Sequence, residues 1–138
     1  MSIFVDTSAW YGFLDRSDIS HQRATVLIND ADDVLLTTDH VLVELSLLAR
    51  HRLGASVERR AISRIVAGDT RVESTGAADL EKAIAIGEKF VDQDFSLVDR
   101  TSWAVMERLG VHEAICFDSD FLVYRFGKNR TRSFIVHS

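Results

Sequence analysis

Short apolar runs alternate along this chain with longer segments of helical periodicity, and that alternation leaves few folds open. Ile3-Phe4-Val5, Val34-Leu35-Leu36-Thr37, Thr70-Arg71-Val72-Glu73, Ala114–Phe117 and Ser133–Val136 read as strands. Between them, helical spacing predicts helices over Thr7–Leu14, Val57–Val66, Ala77–Phe90, Leu97–Leu109 and Ser119–Phe126, with Gly68 and Gly127 as breakers. Asp18 is expected to cap a further helix carrying Ala24, Leu27 and Ile28, and Thr38 one carrying Val41, Leu42, Leu45, Leu48 and Ala49 as far as Gly54. Strands separated by helices imply a mostly parallel sheet joined by right-handed crossovers, hence a three-layer α/β/α sandwich. At 138 residues the chain is expected to form one domain spanning 1–138, large enough to bury most of its apolar surface.

Two of these runs end in an acid: Asp6 follows Val5, and Asp118 follows Phe117. In an open parallel sheet the ligand crevice lies beyond the carboxyl ends of the strands, so acids leaving two strands can converge although far apart in sequence. Glu44 is embedded among Val41, Leu42, Val43 and Leu45, and Asp99 follows Ser96-Leu97-Val98 at the start of a helical pattern. Carboxylates gathered without matching cations raise one another's pKa, and a divalent metal relieves that repulsion. The structural alternative is that Asp6, Asp99, Asp118 and Asp120 cap helices, Ser96 to Asp99 resembling a capping box, and that Glu44 lies on a polar helix face.

Other chemistries find little support. The histidines show no paired metal-binding spacing and are read as surface residues, and neither a glycine-rich phosphate loop nor a nucleophile elbow is present. Cys116 is the single cysteine, so no intrachain disulfide forms. With no signal peptide and no span of transmembrane length, cytoplasmic residence away from membranes is the expectation. A net charge of -5 argues against a protein that wraps duplex DNA. Carboxylate oxygens suit Mg2+ or Mn2+, which serve phosphodiester hydrolysis. Thr7 and Ser8 are candidates for contacts to water or phosphate, or else cap the first helix, and Arg125 and Lys128, near Arg130 and Arg132, are candidate guides for RNA.

Taken in order, the motifs resemble those of the PIN-domain ribonucleases, and more narrowly the VapC-like toxins of type II toxin-antitoxin systems. Asp6-Thr7-Ser8-Ala9-Trp10 is similar to the opening signature, Glu44 stands in the helix bearing the family's acid, Phe95–Arg100 matches the third motif, and Phe117-Asp118-Ser119-Asp120-Phe121 the closing one. Val98 departs from the small hydroxylated residue common at its position. The resemblance implies a catalytic set of Asp6, Glu44, Asp99 and Asp118, a metal held by Asp6, Asp99 and Asp118 with Asp120 in support, and endoribonuclease activity. It also implies a homodimer and a cognate antitoxin, which inserts a helix against an apolar face near Trp10, Phe13 and Leu14 or along Val41 to Leu48. The alternatives are a PIN-type nuclease of RNA processing without toxicity, or a non-catalytic protein-binding module.

Overall fold

In the computed structural model, which describes residues 1–138, the apolar runs become the strands β1 (Ser2–Val5), β2 (Val34–Thr38), β3 (Arg71–Glu73), β4 (Glu113–Ile115) and β5 (Ile135–His137). All four pairings are parallel, in the order β3-β2-β1-β4-β5. The run Ile3-Phe4-Val5 forms the central strand, and Phe4 and Val5 are completely buried, as expected for parallel strands covered on both faces. The helices are α1 (Thr7–Leu14), α2 (His21–Asn29), α3 (Asp39–Leu53), α4 (Ala55–Ala67), α5 (Ala77–Lys89), α6 (Leu97–Leu109) and the four-residue α7 (Asp120–Val123).

Strand order dictates where the layers lie. The chain moves outward from β1 to β2 to β3, then returns past β1 to β4 and on to β5. Because crossovers are right-handed, helices of the outward leg cover one face and those of the return leg the other. The reversal falls between β1 and β4, so the crevice beyond the carboxyl ends of those two strands is the topological switch point. Val5 pairs with Ile115 there, and the Asp6 N–H donates to the Ile115 carbonyl at 3.1 Å.

Aromatic packing holds the return leg. Trp103 of α6 stacks on Tyr124 at 4.3 Å between centroids, and Phe95 meets the Trp103 ring edge-on at 4.7 Å. Phe121 inserts beneath the sheet end, fully buried against Phe4 and Trp103. This anchoring explains why α7 stops at Val123 rather than continuing to Phe126. Tyr124 turns to an extended conformation, which buries its ring, and Phe126 and Phe134 then stack at 4.6 Å.

Local signals misplace a few boundaries. Asp18 does not cap α2, since its carboxylate closes a turn by accepting from the Ser20 N–H at 2.8 Å and the helix begins only at His21. The last strand starts at Ile135 rather than Ser133 because Phe134 serves the aromatic cluster. Thr38 caps α3 as expected, accepting from the Val41 N–H at 3.1 Å.

A buried polar link ties α1 to the sheet. The Thr37 hydroxyl accepts from the Trp10 indole N–H at 3.3 Å and donates to the Val5 carbonyl at 3.0 Å. Thr37→Val keeps the shape but strands the indole N–H, so urea denaturation should show a loss of about 1–3 kcal/mol.

Candidate metal centre

Asp6 leaves the central strand 3% exposed, and its two carboxylate oxygens have different surroundings. Oδ2 accepts from the Ser8 hydroxyl at 3.1 Å, the Ser8 N–H at 3.4 Å and the Cys116 thiol at 3.4 Å. Oδ1 is buried without a partner, as is the neighbouring Thr7 hydroxyl. Asp6 thus caps α1, but with one oxygen only. Burial raises its pKa, partly offset by the hydrogen bonds from Thr7, Cys116 and Ser8. The same two side chains grip the exit of β4: Ser8 Oγ accepts from the Phe117 N–H at 2.9 Å, and Cys116 Sγ from the Asp118 N–H at 3.3 Å. One hydrogen-bonded junction therefore fixes both strand ends and leaves Oδ1 unsatisfied.

Asp99, Asp118 and Asp120 bring one carboxylate oxygen each to within 4.8 Å of the others. Asp99 reaches this position from the first turn of α6, where the Ser96 hydroxyl accepts its backbone N–H at 3.1 Å. That is half of a capping box, with the Asp99 carboxylate free of the reciprocal duty. Desolvation, and then the charges of Asp6, Asp118, Asp120 and Glu44, push its pKa up to about 8. Asp120 is raised chiefly by burial and then by Asp118. Glu44 projects half-buried from α3, near enough to add to the field on Asp99.

The adjacent cation gives no relief. The Arg100 guanidinium donates instead to the Phe95 carbonyl at 3.2 Å and the Ala83 carbonyl at 2.9 Å. Gly87 of α5 makes room for it, since a Cβ there would lie 2.7 Å from Arg100 Nη1. Arg100 so binds α6 to α5 while leaving the acids uncompensated. An all-oxygen cluster of this kind, with an orphaned buried oxygen beside it, fits Mg2+ or Mn2+.

The remaining sequence candidates lie differently. Ser8 is committed to the junction just described, and Thr7 is 5% exposed. Arg125 is exposed with its Nη1 folded onto the carbonyls of Leu122, Val123 and Tyr124, and Lys128 stands exposed on a short 3-10 turn at Lys128–Arg130. Two residues escaped notice in the sequence. Cys116 looked like plain core, and nothing local announces its bond to Asp6. His40 is half-buried, not a surface residue: its Nδ1 donates to the Thr101 hydroxyl at 3.3 Å, which itself donates to the Val98 carbonyl. Its position four residues before Glu44, on the same face of α3, was the available signal.

Proton linkage gives a test. Folded Asp99 holds a proton up to about pH 8, whereas unfolded it releases one near its ordinary 3.8. In metal-free protein the folded state therefore binds more protons across that window, and stability falls as pH climbs from about 4 to about 8. Asp99→Asn should remove that fall and melt several degrees above metal-free wild type at pH 8, measured by calorimetry. Mn2+ at about 100 times its Kd should stabilise wild type by about 2.7 kcal/mol and leave Asp99→Asn unchanged.

Relatives of the chain are found both by sequence and by fold. The PIN domain family matches residues 3–127. The 23S rRNA-specific endonuclease VapC20 of Mycobacterium tuberculosis is 34% identical over 119 residues, covering 86% of this chain and 91% of that protein. Ribonuclease VapC26 of the same organism is 25% identical over 116 residues, covering 84% and 86%. The crystal structure of VapC20, described as a sarcin-ricin loop cleaving toxin, superposes with a TM-score of 0.84 at 33% identity, covering 88% of this chain and 93% of that one. By sequence and by fold alike, the chain belongs to the PIN-domain family, among relatives of the VapC type.

Proposed function

We propose that this chain is a Mg2+- or Mn2+-dependent endoribonuclease that cuts RNA phosphodiester bonds as the toxin of a toxin-antitoxin pair. The observation that carries the reading is Asp99, a buried acid held among four others with no cation to balance them. A protein needing only helix caps has no use for such repulsion, and the resemblance to an rRNA endonuclease supports RNA as the substrate.

Asp6, Asp99 and Asp118 would hold the ion, with Asp120 beside them. Bound there, it would supply Lewis-acid polarisation of the scissile phosphate and charge compensation for the leaving oxygen. The protein's own residues prepare for this. Ser8 and Cys116 saturate Asp6 Oδ2, so that Oδ1 alone is offered. The switch-point crevice sets the acids at the sheet edge, where Asp118 is exposed and a polynucleotide can reach them. Glu44, outside the cluster of three, is assigned the role of accepting the proton of the attacking water.

The antitoxin is assigned to a groove of about 320 Å3 between α1 and α4, floored by Trp10, Phe13, Leu14 and Ile65 and rimmed by Arg16, Arg60 and Arg64. Such a surface suits an amphipathic helix with an apolar face and acidic flanks. Val43 and Leu47, 61% and 66% exposed four residues apart on α3, offer a seam for a second copy of the chain.

Purified protein incubated with total cellular RNA should cut at a few sites in Mg2+ or Mn2+ and not in EDTA. Asp6→Asn should lower cleavage at least a hundredfold while leaving the circular dichroism spectrum unchanged. Equal cutting by wild type and Asp6→Asn would remove the metal centre from the account, and unimpaired growth on induction without the antitoxin would remove toxicity.

A further inference from the structure

One segment further along the chain from Asp120 lies the wall of a pocket of opposite character. The pocket has a volume of about 310 Å3 and sits where α5, the end of α6 and the segment after α7 meet. Lys82, Lys89, Arg125 and Arg130 line it against one carboxylate, Glu107. In a chain of net charge -5 such a concentration of cations is out of keeping with the average surface. Lys82 pairs with Glu107 at 3.1 Å, but Lys89 and Arg130 stand outside every ion pair of the protein. The walls are aromatic. Tyr124 and Phe126 form the buried side, and Phe90 is half-exposed with the Arg130 guanidinium 4.8 Å over its ring.

The backbone there is also unusual. Asn129 and Arg130 have φ values of 60° and 53°, in the left-handed region that non-glycine residues adopt at a cost. Asn tolerates that region, but a long cationic side chain gains nothing locally from it. Strain of this kind persists where it presents a group, and the group presented is the guanidinium over Phe90.

We propose that this pocket binds a nucleotide of the RNA strand next to the one being cut, resting on the nuclease reading given above. Lys89 and Arg130 take the phosphate through their N–H groups, and the base stacks on the Arg130 guanidinium, which itself lies over the Phe90 ring at 4.8 Å. Glu107 stays engaged with Lys82 and the Tyr124 hydroxyl. Cations with an aromatic face are the recurring means of holding single-stranded nucleic acid, since every base can stack and every phosphate is charged. The pocket is well placed for this. Asp120, in the acidic cluster, is the first residue of α7, and Tyr124, in the pocket wall, is the residue that ends it. Arg125, expected from sequence to guide RNA, is part of the lining, whereas Lys128 is not.

The test uses a short fluorescein-labelled single-stranded RNA in EDTA, so that no cutting occurs, and the paired variants Lys89→Ala and Arg130→Gly. Glycine relieves the left-handed strain, so the double variant should melt no lower than wild type. RNA affinity should fall at least tenfold, and the slope of log K against log salt should shrink by about two phosphate contacts. Mn2+ binding, followed separately by calorimetry, should not change. Wild-type affinity and slope in the double variant would overturn the proposal, as would an equal loss for a poly-glutamate peptide, which would show a mere collector of anions. Absence of RNA binding by wild type would also overturn it. Absence of Mn2+ binding by wild type, with the pocket variants still losing RNA, would instead strike only the metal-centre reading.

Discussion

Burial of Asp99 in the midst of other carboxylates is the constraint on which the site depends. Asp99 carries the largest burden, desolvated at the start of α6 and facing Asp6, Asp118, Asp120 and Glu44. Strand exits and the first turns of α6 and α7 deliver Asp6, Asp118, Asp99 and Asp120, and the cations of α6 are engaged elsewhere. The Arg100 guanidinium is turned to the carbonyls of Phe95 and Ala83, and Arg108, at the far end of α6, is paired with Asp79 and Glu73.

The sheet supplies the convergence. Parallel strands direct all their carboxyl ends to one edge, and reversal of strand order between β1 and β4 opens that edge into a crevice. The junction of Ser8, Cys116 and Asp6 then converts strand pairing into side-chain geometry, because it bonds the backbone of the β4 exit to the carboxylate of the β1 exit. Aromatic packing does the equivalent work for the closing motif. Phe121 and Tyr124 pin a helix of only four residues, too short to be stable by itself, and hold Asp120 at its first turn.

Local rules revealed much of this in the sequence, and their failures have physical causes. Apolar runs of strand length ending in acid drew attention to Asp6 and Asp118, and a glutamate among leucines and valines to Glu44, and the structure sets all three in the field around Asp99. The alternation of periods set the parallel sheet. The extent of α7 was misread because helical spacing from Ser119 to Phe126 is indistinguishable from a segment whose aromatics are pulled apart by distant partners. Phe134 and Trp103 decide where that chain turns, and no window of neighbouring residues contains them. Asp18 has the chemistry of a helix cap, yet it closed a turn instead, a competition inherent in short acidic side chains. Cys116 was invisible as a polar contact because its partner is 110 residues away. The cationic pocket likewise joins Lys89 to Arg130, residues on separate elements that only the tertiary fold unites.

Burial, and then its acidic neighbours, keep Asp99 uncharged in the metal-free protein, and under the proposed function a divalent cation takes the place of its proton. A carbon-detected NMR titration of the Asp99 carboxyl group, with and without Mg2+, addresses it at a single atom. Asp99 should titrate near pH 8 in metal-free protein and be an ionised carboxylate well below neutral pH when Mg2+ is present. Titration in the ordinary range near 3.8, unmoved by Mg2+, would contradict it.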